Sequence, residues 1–230
     1  NWIIEKCVFY SSNSQQFSIR LNGDGSNHLV QNCVFLDRAG MVIENGVTVN
    51  DRGHIIQNCI FMGSEVGIRV IRVGGITVKN SIFHQVRGNA GVQIFTALAV
   101  GQTVTVNNCL FTHCGTALLA TVAGEIVENY NNFWSNATNR TNTNTGANSI
   151  TYPPLFDPRW VFQLMNAQAA AQLVNPFDLA SFSQLVNLAG TSPTTTDLRG
   201  QAILGAQREW GALEYNSVLK KMGQILRPYG

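Results

Sequence analysis

Charge is scarce in this 230-residue chain: Asp, Glu, Lys and Arg make up 12% of it and the net charge is +2, where globular chains carry about 25% charged residues. No concentrated basic stripe is present, which argues against a nucleic-acid-binding protein. Long apolar runs are also lacking. Hydrophobic residues make up 45%, yet no run approaches the roughly 20 residues that cross a bilayer as a helix, and no secretory signal precedes the first repeat. Membrane insertion is therefore not expected. The five cysteines (Cys7, Cys33, Cys59, Cys109, Cys114) include no CxxC pair and no His/Cys spacing of the zinc kind, and their odd number argues against a disulfide framework. Glycine-rich phosphate loops, nucleophile elbows and kinase-like phrases are missing too. The chain starts at Asn1 rather than Met and enters a repeat within three residues, which points to a processed product or part of a longer protein.

What the sequence does have is one phrase that keeps returning: "IEKCVF" (4–9), "VQNCVF" (30–35), "IQNCIF" (56–61), "VKNSIF" (78–83), "VNNCLF" (106–111) and a degraded "ENYNNF" (128–133). Its phenylalanines, Phe9, Phe35, Phe61, Phe83, Phe111 and Phe133, recur at intervals of 22 to 28 residues. A fixed phrase at variable spacing means that loops absorb the difference. Between the phrases lie short apolar runs, "FSIRL", "GMVIE", "VGIRVIRV", "GVQIFTALAV" and "TALLATVA", rich in β-branched residues and punctuated by Gly, Asn and Asp. No 3.6-residue period is sustained, so each repeat should supply two or three short strands. A leucine-rich horseshoe lacks its leucines here. The pattern predicts an all-β chain: a right-handed parallel β-helix of about six rungs, each paired with the next at ~4.8 Å.

Within that solenoid Asn32, Asn58, Asn80 and Asn108 are expected to turn a corner and form an amide ladder, with Lys6 in the first rung, because Asn tolerates the left-handed backbone that a sharp bend needs. The next position holds Cys7, Cys33, Cys59 and Cys109. A reactive or metal-bound thiol is one reading of these; a packing column of small, soft side chains is favoured because Ser81 takes the same place in the fourth rung.

These phrases resemble the right-handed parallel β-helix repeat proteins of the pectate-lyase-like superfamily. "NNFWSNATN" (131–139) with "PPLFDP" (153–158) resembles the way such chains leave the helix, and "SQLVNLAGTSPTTTDLRGQ" (183–201) with "REWGALEY" (208–215) resembles the family's GA-x-E ending. Asn187 departs from the usual aspartate, and an inserted stretch (159–181) holds the best helix candidate, "MNAQAAAQL" (165–173). The resemblance spans rungs over 1–135 and a loop, insert and capping region over 136–215; because a last rung exposes core, Trp134, Trp160 and Trp210 are expected as plugs. Beyond it lies a tail over 216–230, where Val218, Leu219, Met222, Ile225 and Leu226 fall at helical spacing. The tail is read either as a short helix on its own domain or as a docking arm for a neighbouring subunit.

The family includes polysaccharide lyases and glycoside hydrolases, which need calcium-binding carboxylates with a basic residue, or two carboxylates about 5 Å or about 6.5–9.5 Å apart. Only 13 acids are available. Asp24 and Asp51, near Arg52, occupy equivalent turns and make the best pair, although "NGDGSN" and "VNDRGH" are also ordinary turn sequences. Arg20, Glu44 and Arg69 should form a plus-minus-plus column on an outer face, serving either cross-strand pairing or a sugar-acid stripe. His28 and His54 should stack at a corner. His84, His113 and Cys114 lack a further ligand and read as surface turn residues. Asn136 and Asn139 head glycosylation-type triplets in what reads as a polar loop. No catalytic residue, metal ligand or cofactor is assigned.

The expected function is a non-enzymatic structural or adhesion module of a surface, secreted or virion protein, acting outside the cell or on a phage particle. Its partners would be other subunits, engaged through 216–230, or polysaccharide. The alternative is a polysaccharide lyase or tailspike-like hydrolase acting on an acidic polysaccharide.

Overall fold

The computed structural model describes residues 1–11, 17–22, 25–38, 40–49 and 52–154. Asp24, Asp51, the helix candidate, Trp160, Trp210, the GA-x-E ending and the tail lie outside the described residues. Eighteen strands, numbered in chain order, wind into a right-handed parallel β-helix whose three sheets are each six strands deep. The first sheet holds β1 (Ile3–Glu5), β4 (Leu29–Gln31), β7 (Ile55–Gln57), β10 (Ile76–Lys79), β13 (Val104–Asn107) and β16 (Ile126–Asn129). The second holds β2 (Val8–Ser11), β5 (Val34–Asp37), β8 (Ile60–Met62), β11 (Ile82–His84), β14 (Leu110–Thr112) and β17 (Asn132–Trp134). The third holds β3 (Ile19–Asn22), β6 (Met41–Val49), β9 (Ile68–Val73), β12 (Val92–Thr96), β15 (Thr116–Leu119) and β18 (Thr138–Thr141). Each coil visits the three sheets in turn, and the stretch read as a polar loop contributes β18.

The repeated phrase is the corner between the first two sheets. Lys6, Asn32, Asn58, Asn80, Asn108 and Tyr130 all hold φ between 51° and 56°, the left-handed conformation that Asn adopts at lower cost than most residues. The Asn58 amide donates to Asn32 Oδ1 at 3.3 Å, one bond of the expected ladder. Beside it, Cys33, Cys59 and Cys109 are fully buried, and all five thiols are free. Each of the three donates to the carbonyl two residues back, at 3.2–3.3 Å. Ser81 keeps that bond, donating to the Lys79 carbonyl at 2.9 Å.

The corner aims the phenylalanines inward. Phe9, Phe35, Phe61, Phe83, Phe111 and Phe133 form one stack with centroid separations of 4.4–5.2 Å and interplanar angles of 2–15°. Coil spacing sets that separation, and each ring pair adds about 0.5–1.5 kcal/mol beyond the area it buries. The stack leaves no room at the start of the third sheet. A Cβ on Gly67 would come within 2.8 Å of the Phe83 ring, and one on Gly91 within 2.9 Å of the Phe111 ring. At Gly40 the crowding comes from the Val66 and Gly67 carbonyls of the next coil. Gly40, Gly67 and Gly91 stand in column, so that Met41, Ile68 and Val92 are the next residues in register.

In the sixth coil the inward columns change character. Glu128 continues the column Ile4, Val30, Ile56, Val78, Val106, and Arg140 continues Ile19, Met41, Ile68, Val92, Leu118. Arg140 Nε and Nη2 both reach Glu128 Oε1 at 2.8 Å, and the guanidinium lies over the terminal Phe133 ring, 4.1 Å from its centroid. Glu128 also accepts from Gly146 N (2.6 Å), Asn131 Nδ2 (2.8 Å) and Ser149 Oγ. The chain then passes along this edge, where Ile150 bridges Asn132 and Tyr152 exchanges two bonds with the Asn132 side chain. Trp134, expected as a plug, instead stands in the column Tyr10, Leu36, Met62, His84, Thr112. Its position one residue after the inward Phe133 turns it to the opposite face of the strand.

Candidate functional site

Charged and aromatic side chains meet on the outer face of the third sheet. The glycine column shifts the expected charge column by two residues: Val42, not Glu44, lies opposite both Arg20 and Arg69. Glu44 reaches diagonally back to Arg20, whose Nε lies 2.6 Å from Glu44 Oε1, and the two form an ion pair. Arg69 takes a different course. Its Nε donates to Gln93 Oε1 at 3.1 Å, and its guanidinium lies 5.1 Å from the centroid of Phe17 and 5.0 Å from that of Phe95. Partial burial lowers its pKa from the ordinary arginine value, with the Glu65 carboxylate opposing the shift. The plus-minus-plus column is thus an ion pair beside a separate arginine–aromatic platform.

Phe95 reaches that platform through an irregularity. Between β9 and β12 the register steps from Val70/Ile94 to Ile71/Thr96, leaving Phe95 as the extra residue, 56% exposed. A bulge of this kind re-aims a side chain that regular alternation would place elsewhere. Nothing in "GVQIFTALAV" marked it beforehand, because the run reads as continuous strand.

Where the third sheet turns toward the first, Asn22, Glu44, Arg52, His28 and His54, among others, line a shallow depression. His28 and His54 stack as expected, with centroids 5.0 Å apart and an interplanar angle of 13°. The stack has a backbone purpose: Trp2 N–H donates to His28 Nδ1 (3.0 Å) and His28 N–H to His54 Nδ1 (3.2 Å). A protonated ring would lose that acceptor. Burial first, then His28 and Arg52, push the His54 pKa down to about 4, and burial also lowers that of His28.

The other candidate cluster separates. His84 lies opposite Thr112, whereas His113 is the next residue, at a corner with φ 56°, so the rings meet edge-on at 5.6 Å. Burial, with His113 and Arg87, lowers the His84 pKa to about 4. Cys114 turns inward, its thiol directed at the Phe83 and Thr112 carbonyls, and burial raises its pKa to about 11. Among the described residues no group of three or more His, Cys, Asp or Glu could hold a metal. Asn136 also works internally. Its Oδ1 accepts from Cys114 N (2.8 Å) and its Nδ2, the atom a glycan would occupy, donates to the Phe111 carbonyl (3.1 Å).

Most acids among the described residues are committed to structural bonds. Glu5 accepts from Gln31, Glu44 pairs with Arg20 and Glu128 with Arg140. Glu125 closes a turn through the backbone N–H groups of Leu98, Thr121 and Val122. Among the described residues this arrangement supplies cations, amides and aromatic faces for binding.

Residues 45–152 match the family model described as a right handed beta helix region. The match and the strand register together define the class: the chain carries a right-handed parallel β-helix, a fold that hosts both structural and enzymatic roles. No curated protein matches the chain.

Proposed function

We propose that the chain is a non-enzymatic β-helix module of a surface, secreted or virion protein, and that it binds an acidic glycan along the outer face of the third sheet. The observation that carries this reading is Arg69 set between Phe17 and Phe95 beside the Arg20–Glu44 pair. Aromatic rings offer flat apolar area to a sugar ring, while a guanidinium and an amide fix a carboxylate and hydroxyls. Arg69 stands on a paired strand, which holds it more rigidly than a loop does. The commitment of Glu5, Glu44, Glu125 and Glu128 to structural bonds supports binding without chemistry. The resemblance to pectate-lyase-like proteins supports a polymer of sugar acids, and the tail 216–230 is proposed to join neighbouring subunits.

Affinity electrophoresis through polygalacturonate, with neutral dextran as control, tests the reading. Retardation by the acidic polymer alone is expected, falling roughly tenfold in affinity, a loss of about 1.4 kcal/mol, in Arg69→Ala and Phe95→Ala. Migration unaffected by acidic polymers would overturn it. The second reading, cleavage of an acidic polysaccharide, is favoured by Arg52 and Glu44, which line one shallow depression. Loss of polymer length that is abolished in Arg52→Ala would establish that reading instead.

A further inference from the structure

Across the outer face of the third sheet one column of residues in register runs Arg20, Val42, Arg69, Gln93, Leu119 and Thr141. It holds two arginines with different partners. Arg20 is answered by a carboxylate, Glu44, with which it forms an ion pair. Arg69 gives its Nε to a neutral amide, Gln93, so its hydrogen-bond partner leaves the charge standing. One coil to either side of Arg69 the column is neutral and buried, at Val42 and at Gln93. Acids flank the same guanidinium. Glu44 stands two residues beyond Val42 on β6, and the Glu65 carboxylate acts on Arg69 electrostatically.

Resting on the glycan-binding reading above, we propose that the ligand is an acidic glycan with isolated carboxylates, each acidic sugar lying between neutral ones. The platform runs across the coils, from Phe17 ahead of β3, through Arg69 on β9, to Phe95 on β12. A sugar ring with its linkage advances a chain by one coil spacing, ~4.8 Å, so a chain laid along the platform sets successive sugars over successive coils. With one carboxylate at Arg69, the sugar on one side meets Val42 and Glu44, and the sugar on the other meets Gln93 and Phe95. Neither β6 nor β12 contains a Lys or Arg. A second carboxylate over β6 would face Glu44, and like charges brought together are how an interface rejects the wrong partner. A neutral sugar meets no such repulsion, and over β12 its ring can lie on the exposed Phe95.

The guanidinium is itself arranged for a single planar acid. Gln93 takes its Nε, and the ring centroids of Phe17 and Phe95 lie 5.1 Å and 5.0 Å from its carbon, which leaves the two Nη atoms as the donors for a ligand. Two such donors hold one carboxylate bidentately.

Affinity electrophoresis of the whole chain separates the two charge patterns. One gel holds hyaluronan, in which glucuronate alternates with a neutral N-acetylated sugar, and the other polygalacturonate, in which every sugar is acidic, at equal carboxylate concentration and roughly 0.15 M salt to screen unspecific attraction. Hyaluronan is expected to bind about tenfold more tightly. Glu44→Gln removes the repelling charge and releases Arg20, so it should strengthen polygalacturonate binding and leave hyaluronan binding within about twofold, closing the gap. Arg69→Lys keeps the charge and loses the planar fork, and should weaken hyaluronan binding. Polygalacturonate bound as tightly as hyaluronan, or a preference unmoved by Glu44→Gln, would overturn the isolated-carboxylate ligand and leave glycan binding standing. Retardation by neither polymer would overturn both.

Discussion

In the first coil, Ile4, Cys7 and Phe9 occupy the inward columns and are each only partly buried, with Trp2 and Ile3 70% and 67% exposed beside them. In the sixth coil the same columns hold Glu128, Asn131 and Phe133, and Arg140 lies across the last ring. Among the described residues the first coil presents apolar side chains and the sixth a hydrogen-bonded ion pair that Gly146 and Ser149 contact. A solenoid buries each coil only with its neighbours, so a polar pair inside a coil changes what can stack on it. Glu128 and Arg140 make that change from within. An apolar seventh coil stacked on them would have to desolvate a charge pair, so the pair also acts against further apolar stacking.

Truncating one ring at two depths gives the largest contrast. Phe83→Ala, in mid-stack, is expected to cost about 3–5 kcal/mol in urea unfolding, and Phe9→Ala at the partly buried end about half of that, because the edge has less to collapse around. Equal costs would mean that the first coil is as well packed as the interior.

Next comes the ion pair. Glu128→Leu leaves Arg140 uncompensated and should cost about 3 kcal/mol, whereas Glu128→Leu combined with Arg140→Leu should recover most of it. Additive losses in a double-mutant cycle would show that the two residues act independently and would remove the polar closure from the comparison.

Acid has the smallest effect. His54 and His84 stay neutral in the folded chain down to about pH 4, while in the unfolded chain they take up protons near pH 6.5. Their contribution is therefore present above about 6.5, is lost as pH falls, and levels off below about 4. A fall on the order of 1 kcal/mol for each ring is expected across that window. His54→Asn should flatten half of it, and an unchanged urea midpoint between pH 7 and 4.5 would contradict the His54 Nδ1 acceptor role.

The repeat was legible because its demands are narrow. A left-handed corner selects Asn, an inward stack selects Phe, and the space beside the corner admits only Cys, Ser or Asn, so the same letters return. The second sheet ends at another left-handed corner, formed by Asp37, Gly63, Gln85, His113 and Ser135. It was invisible, because no single residue type recurs there. The charge column was misread by matching Ile43–Glu44 to Ile68–Arg69. The glycines at 40, 67 and 91 held the correct register, but their reason, the backbone of the next coil and, at 67 and 91, a phenylalanine ring, appears only when coils are stacked.

Coil length, the corner, the inward ring and the apolar alternation, and with them the architecture, follow from local rules repeated along the chain. Which charges meet does not. The pairing of Arg20 with Glu44, the outward turn of Phe95 toward Arg69 and the burial of Glu128 against Arg140 depend on register between coils more than 20 residues apart or on the closure of the final coil. Register is a collective property of backbone pairing and ring stacking, and a single strand carries too little of either to reveal it.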